Sequence, residues 1–170
     1  MKIYLTTDTH FGHHKMMEYC NRPEGFEEII LNNLSKIKPD VLIHLGDFSL
    51  CGKDEYWNQR FMDIVKCKKW LIRGNHDKKT NQWYLEHGWD MVCEQFRDNY
   101  FGKIIMFSHK PVVWDGDYDI NIHGHMHNSD HRLNEPQLSL IKNGYQKLIS
   151  IENTDYKPVN LEDFINNKKL

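Results

Sequence analysis

Apolar and polar residues along this chain fall into short blocks of two kinds. Runs rich in β-branched and aliphatic residues occupy 3–7, 41–45, 70–73, 104–108, 120–123 and 148–151. Each is brief enough for a strand and is bounded by polar or turn-forming residues. Between several of them the spacing becomes helical. Pro23-Glu24-Gly25-Phe26 leads into a helix predicted over 27–38, where Ile29, Ile30, Leu34 and Ile37 recur at helical spacing. A second is predicted over 53–65 on the stripe Trp57, Phe61, Ile64 and Val65, a shorter third over 80–87, and a last one over 161–167, after Pro158. The polar stretch 128–144 reads as a long excursion loop. Strand–helix alternation followed by a strand-rich second half predicts an α/β domain with mixed sheets. With no repeat, low-complexity segment or linker, 170 residues read as one domain over 1–170.

The polar chemistry falls where the apolar runs end. Asp8 and His10 follow the first, Gly46-Asp47 the second, and Gly74-Asn75-His76-Asp77 the third. His109 follows the next, and Gly124-His125-Met126-His127 the one after. In a sheet covered by helices such strand ends converge on one edge, where ligands bind. Singly the pieces say little. Asp-x-His at a strand end puts two ligand-type groups on one side, but such a bare pair is also ordinary loop composition. Gly-Asp is common turn chemistry. His125-x-His127 behind a glycine is more specific, since two imidazoles at that spacing seldom adjoin without a metal, although two surface histidines in a turn would look the same.

Together and in this order, Asp8-Thr-His10, Gly46-Asp47, Gly74-Asn75-His76-Asp77, His109 and Gly124-His125-Met-His127 resemble the calcineurin-like metallophosphoesterase superfamily. The opening Asp8-Thr9-His10-Phe11-Gly12-His13 and the later Asn21-Arg22-Pro23 are similar to a compact bacterial and phage branch of it. The resemblance implies a sandwich of two mixed β-sheets flanked by helices, formed by a single domain. It implies Asp8, His10 and His127 as ligands of one divalent ion, Asn75, His109 and His125 as ligands of a second, and Asp47 as the bridge. Four imidazoles, two carboxylates and an amide without thiolate suit Mn²⁺ first, with Fe, Zn²⁺ or Ni²⁺ as alternatives. The implied activity is hydrolysis of a phosphate ester, a diester favoured, by water activated between the two ions. His76 would contact the phosphate or protonate the leaving oxygen, Asp77 would orient His76, and Arg22 would clamp the phosphate. A catalytically silent scaffold on the same fold, as in the retromer subunit, and a nuclease for longer nucleic acid are the rival readings.

Other histidines read as structural: His44 and His123 as core or supporting residues, His87 and His131 as solvated. His13, His14 and Lys15 follow the first motif closely enough to reach the rim of a site. Trp57, Phe61, Trp83 and Trp89 read as core.

Composition changes this picture little. Eleven histidines is a high count, though a histidine-rich surface would give it too. A formal charge of −2 argues against strong binding of duplex nucleic acid, which favours a basic surplus. The expected partner is a small phosphate ester, nucleotide-like in some cases; oligomeric state is not encoded legibly. Mean hydropathy of −0.72 and the lack of a long apolar run argue against membrane insertion. The N-terminus has neither the apolar stretch nor the cleavage site of a secretory signal, so the cytoplasm is the expected location. Cys20, Cys51, Cys67 and Cys93 are too scattered for a zinc knuckle or disulfide framework and read as reduced thiols.

Overall fold

The protein is described by a computed structural model that covers residues 1–128 and 144–167. Nearly all of the excursion expected at 128–144, His131 included, therefore lies outside the described residues. The chain builds two sheets. The first has the order β4-β3-β2-β1-β9, from β1 (Ile3–Thr6), β2 (Val41–His44), β3 (Lys68–Ile72), β4 (Met91–Cys93) and β9 (Val159–Asn160). Strands β1 to β4 run parallel, and β9 returns antiparallel beside β1. The second sheet has the order β5-β6-β7-β8, from β5 (Gln95–Tyr100), β6 (Lys103–Ser108), β7 (Ile120–His123) and β8 (Gln146–Leu148). Here β5 is antiparallel to β6, and β6, β7 and β8 are parallel. Helices α1 (Met16–Tyr19), α2 (Phe26–Ser35), α3 (Asp54–Ile64), α4 (Asn81–Glu86) and α5 (Leu161–Ile165) complete the architecture.

The period-2 alternation of β2 explains the layering. Val41, Ile43 and Leu45 face the second sheet, packing with Ile3, Leu5, Ile72, Ile105, Phe107 and Ile122. Leu42 faces the other way, into a core of Phe26, Ile30, Leu34, Phe48, Phe61 and Trp89 supplied largely by helices. A parallel strand buried on both faces reads as a continuous apolar run, which is why β2 is so plain in the sequence. His44 shares the helix-side layer, its ring edge-on to Phe48, Phe61 and Trp89.

Several expectations need adjustment. Helix α2 ends at Ser35, and its buried apolar stripe is Phe26, Ile30, Leu31 and Leu34, which leaves Ile29 at the surface. The strand expected at 148–151 lies earlier, at Gln146–Leu148. Ile149 and Ile151 are nonetheless buried, beyond the ladder, and that burial produces the apolar run. Helices α4 and α5 start at side-chain caps: Thr80 Oγ1 accepts from Trp83 N–H at 3.1 Å and Asn160 Oδ1 from Asp163 N–H at 3.1 Å. Helix α5 stops at Ile165, two residues short of the expected end.

Phe61 is fully buried, whereas Ile29 is 37% exposed. Phe61→Ala should therefore cost about 3–5 kcal/mol in urea denaturation, and Ile29→Ala no more than about 0.5 kcal/mol. A larger loss for Ile29→Ala would place the α2 stripe wrongly.

Candidate metal centre

The strand ends of both sheets meet at one edge, and the chain turns there in a conformation that side chains disfavour. Asp8, His10, Asp47, His125 and His127 all have positive φ, between 47° and 69°. For residues other than glycine such backbone persists only where the surroundings impose it, at a cost of about 1 kcal/mol or more each. Close approach of the turns imposes it here. A Cβ on Gly74 would strike the Asp47 backbone and carboxylate, and one on Gly124 would strike Thr7 and the Asp8 carboxylate. Glycine at these two positions lets the second and third turns interlock, and the first and fifth.

This interlocking brings all seven expected ligands together. Ligand atoms of Asp8, His10 and His127 lie within 4.8 Å of one another, as do those of Asp47, His109 and His125, and all six residues are buried. Each carboxylate is half engaged. Asp8 Oδ2 accepts from Thr7 Oγ1 at 2.5 Å and from His125 N–H at 2.9 Å, while Asp8 Oδ1 makes no hydrogen bond. Asp47 Oδ1 accepts from His76 N–H at 2.8 Å, while Asp47 Oδ2 makes none. That bare oxygen lies 3.5 Å from His10 Nε2 and 3.3 Å from His109 Nε2, between the two groups. Asn75 Oδ1 is 3.2 Å from His109 Nε2. Both ring nitrogens of His10 are buried without a partner. Such groups are costly to bury bare, so four orphaned atoms (Asp8 Oδ1, Asp47 Oδ2 and both nitrogens of His10) beside so many imidazoles fit a centre built for cations.

Two rings are oriented from behind. His109 Nδ1 donates to Leu45 C=O at 2.9 Å and His127 Nδ1 to Glu152 Oε1 at 3.1 Å, so each ring turns its Nε2 toward the centre, as the atom that a cation would take in place of a proton. Electrostatics follow the same division. Burial works against protonating His109, but the adjacent Asp47 and Asp8 carboxylates outweigh it and lift its pKa to about 9. For His127 burial is likewise outweighed, by Asp8, Cys20 and Glu152, and the pKa rises to about 10. Burial holds His10 well below its ordinary value despite Asp47.

Two residues lie elsewhere than expected. The Arg22 guanidinium is no phosphate clamp, because it is fully buried. It donates to the Thr9 and Asp8 carbonyls at 2.8 and 2.6 Å and pairs with Glu152 at 2.7 Å. The Asp77 carboxylate does not orient the His76 ring. It accepts from the backbone N–H of Asp47 (2.8 Å), Phe48 (2.9 Å) and Gly74 (2.7 Å), tying the second turn to the third. Burial and the Asp47 charge push its pKa up to about 7, against those three donors. His76 stands at the mouth, its side chain 33% exposed and its Nε2 3.9 Å from Asp47 Oδ2.

Among the supporting histidines, His44 contacts Thr9 Oγ1 at 3.0 Å and accepts from Gly46 N–H at 3.1 Å, its pKa lowered by burial to about 3. His123 is buried, with its pKa lowered by burial to about 4. His87 stacks on Trp83 at 4.0 Å instead of standing free in solvent. The His13 ring sits 5.7 Å from that of His10 and 6.5 Å from that of His76, while His14 and Lys15 are exposed. None of the four cysteines forms a disulfide, and Cys20 is buried against the His127–Glu152 pair.

Residues 1–166 match the model of the calcineurin-like phosphoesterases. The chain belongs to that family. Its members are metal-dependent phosphoesterases, and the buried His/Asp groups could hold their metal ions. Two relatives cover nearly the whole phosphoesterase chain. The uncharacterized protein MJ1445 of Methanocaldococcus jannaschii is 31% identical over 173 residues, 95% of this chain and 88% of that one. The crystal structure of AQ665 from Aquifex aeolicus, a protein of unknown function, superposes with a TM-score of 0.77 at 25% identity over 98% of both chains. The fold is thus the α/β phosphoesterase fold of two mixed sheets with flanking helices. No helix among the described residues is long and apolar enough to cross a membrane.

Sequence reasoning missed Glu152, which supports His127 from behind. It follows the sixth apolar run, so the strand-end rule that marks the other polar residues applied to it as well.

With metals chelated, His109 and His127 carry folded pKa values of about 9 and 10 against 6.5 in the unfolded chain. A raised imidazole pKa contributes stability that is complete below pH 6.5 and lost as pH rises through the folded value. The midpoint of urea denaturation in EDTA should therefore fall steadily from pH 7 to pH 10. A flat or rising midpoint over that window would contradict the carboxylate–imidazole pairing.

Proposed function

We propose that this protein is a two-metal phosphoesterase that cleaves small phosphodiesters. What chiefly supports this reading is the position of Asp47 Oδ2, a buried oxygen with no hydrogen bond, almost equidistant from an imidazole of each group. In this assignment Asp8, His10 and His127 hold one ion, Asn75, His109 and His125 the other, and Asp47 both. Divalent ions so held supply Lewis-acid polarisation of the phosphoryl oxygens and acidify water, with Mn²⁺ the first choice for this mixed N/O donor set.

The chain's own residues do the rest. The Leu45 carbonyl and the Glu152 carboxylate hold the rings of His109 and His127 with Nε2 inward. Asp77, through three backbone N–H groups, fixes the turns that carry Asp47, Asn75 and His76. His76 belongs to neither buried group and is the imidazole at the mouth, where it can hold a phosphate oxygen or deliver a proton to the departing alkoxide. Substrate charge favours a diester. Arg22 is consumed by Glu152 and Arg73 is paired with Glu94, which leaves two exposed lysines, Lys15 in the first loop and Lys110 beside His109, to serve a dianionic monoester. A cavity of about 310 Å³ opens beside Asn75 and His109, lined also by Lys110, Pro111 and Val112, with room for a second ester substituent. With a net charge of −2, long duplex DNA finds no basic surplus.

Prolonged chelation should abolish hydrolysis, and Mn²⁺ should restore it at close to two ions per chain. Asp47→Asn should be the most damaging ligand substitution. At most one ion in a fully active preparation would refute the two-metal assignment. The kcat/KM for bis-(p-nitrophenyl) phosphate should equal or exceed that for p-nitrophenyl phosphate at neutral pH, and a clear monoester preference would reject the diester argument.

His76→Ala should slow alkyl esters by roughly a hundredfold with metal content unchanged, and nitrophenyl esters much less, since that leaving group needs little protonation. Equal losses on both would assign His76 to phosphate binding instead.

A further inference from the structure

Arg22 and Glu152 are 130 positions apart in sequence yet form an ion pair with side chains 0% and 2% exposed. A buried ion pair is a poor way to gain stability, because packed apolar side chains commonly serve as well, so its partners deserve a separate account. Glu152 Oε1 receives Arg22 Nε at 3.0 Å, Arg22 Nη2 at 2.7 Å and His127 Nδ1 at 3.1 Å, and Oε2 receives Ser150 Oγ at 2.7 Å. A carboxylate only accepts, so His127 must carry a proton on Nδ1, which leaves Nε2, 3.5 Å from Asp8 Oδ1, as the ring atom available to a metal. The same guanidinium grips the carbonyls of Asp8 and Thr9, on either side of the bond that joins them, within the turn where Asp8 and His10 take positive φ. One cation thus touches both halves of a single group: the turn bearing Asp8 and His10 directly, and His127 through Glu152.

We propose that Arg22 and Glu152 are positioning residues that set the metal affinity of the Asp8–His10–His127 group and leave that of the Asp47–His109–His125 group alone. The inference rests on the reading that both groups hold ions. Cys20, His127 and Glu152 also bring ligand atoms within 4.8 Å of one another, but Glu152 and His127 Nδ1 are already committed to each other and to Arg22, so this cluster supports the first group and is not a third site. His109, by contrast, is held by a backbone carbonyl, and nothing that Arg22 or Glu152 touches belongs to its group.

The test is Mn²⁺ titration of the metal-stripped full chain by calorimetry, for the wild type, Glu152→Gln, Glu152→Ala and Arg22→Met, with Ile165→Ala as a destabilised core control. The wild type should show two binding events. In Glu152→Ala one should weaken by about 10- to 100-fold and the other stay within about twofold. Glu152→Gln, which keeps an oxygen able to accept from His127, should lose less. Ile165→Ala should lower Tm with both affinities intact. If Glu152→Ala fails to fold, Glu152→Gln and Arg22→Met carry the same expectation of one weakened site. Two unchanged affinities in the variants, or an equal fall in both, would overturn the positioning role while leaving the two-metal reading standing. A wild type that takes up no Mn²⁺ would sink the two-metal reading itself.

Discussion

Asp8 and Asp47 are carboxylates withdrawn almost completely from water, each with one oxygen bound by the protein and the other bound by nothing in it. An anion in that position is among the costliest things a fold can contain, and the surrounding structure is arranged to tolerate it. Imidazoles are packed around both, two of them lifted toward their charged form by the carboxylates themselves. Backbone N–H groups from His125 and His76 hold the inner oxygens, and turns with positive φ bring those donors into reach. The interlocked turns at Gly74 and Gly124, the Asp77 tie and the Arg22–Glu152 pair all serve to place two bare oxygens beside four imidazoles and the Asn75 amide.

How much of this the sequence disclosed depends on how local each cause is. Strands β2 and β7 are buried along their whole length, and β1 and β6 over most of theirs, and their apolar runs announced them. Strand β5, Gln-Phe-Arg-Asp-Asn-Tyr, is largely solvent-facing, and β9 has two residues, so both exist because a partner strand offers them a ladder. Tertiary context of that kind leaves no periodic signal. The seven residues that converge were legible because each follows a strand in a fold where strand ends meet. Arg22 was misjudged for the opposite reason. A guanidinium beside a phosphate site and one neutralised by a glutamate 130 residues away look the same in a sequence. Asp77 was placed in the right neighbourhood with the wrong partner, since only the fold reveals that three backbone N–H groups point at it.

The division of labour inside the centre is uneven. In one group His109 is oriented by a backbone carbonyl, that of Leu45 at the end of β2, and Asp47 by the nearby Asp77 carboxylate. The other depends on a chain of side chains running from the loop after α1 to the segment after β8, and so on the docking of distant parts of the chain. Two groups that lie against one buried carboxylate oxygen can therefore differ in how firmly each is held.

The antiparallel return of β9 has a further consequence. It lies on the open flank of β1, a strand of the sequence Ile-Tyr-Leu-Thr that leads directly into Asp8 and His10. Without that two-residue cover, β1 would present unpaired backbone groups on an apolar edge, the kind of template on which a second chain can add a strand. The brief closing strand thus covers an edge open to self-association at the element that leads into the candidate metal centre. Damage to the C-terminal segment would then register first as aggregation rather than as lost chemistry.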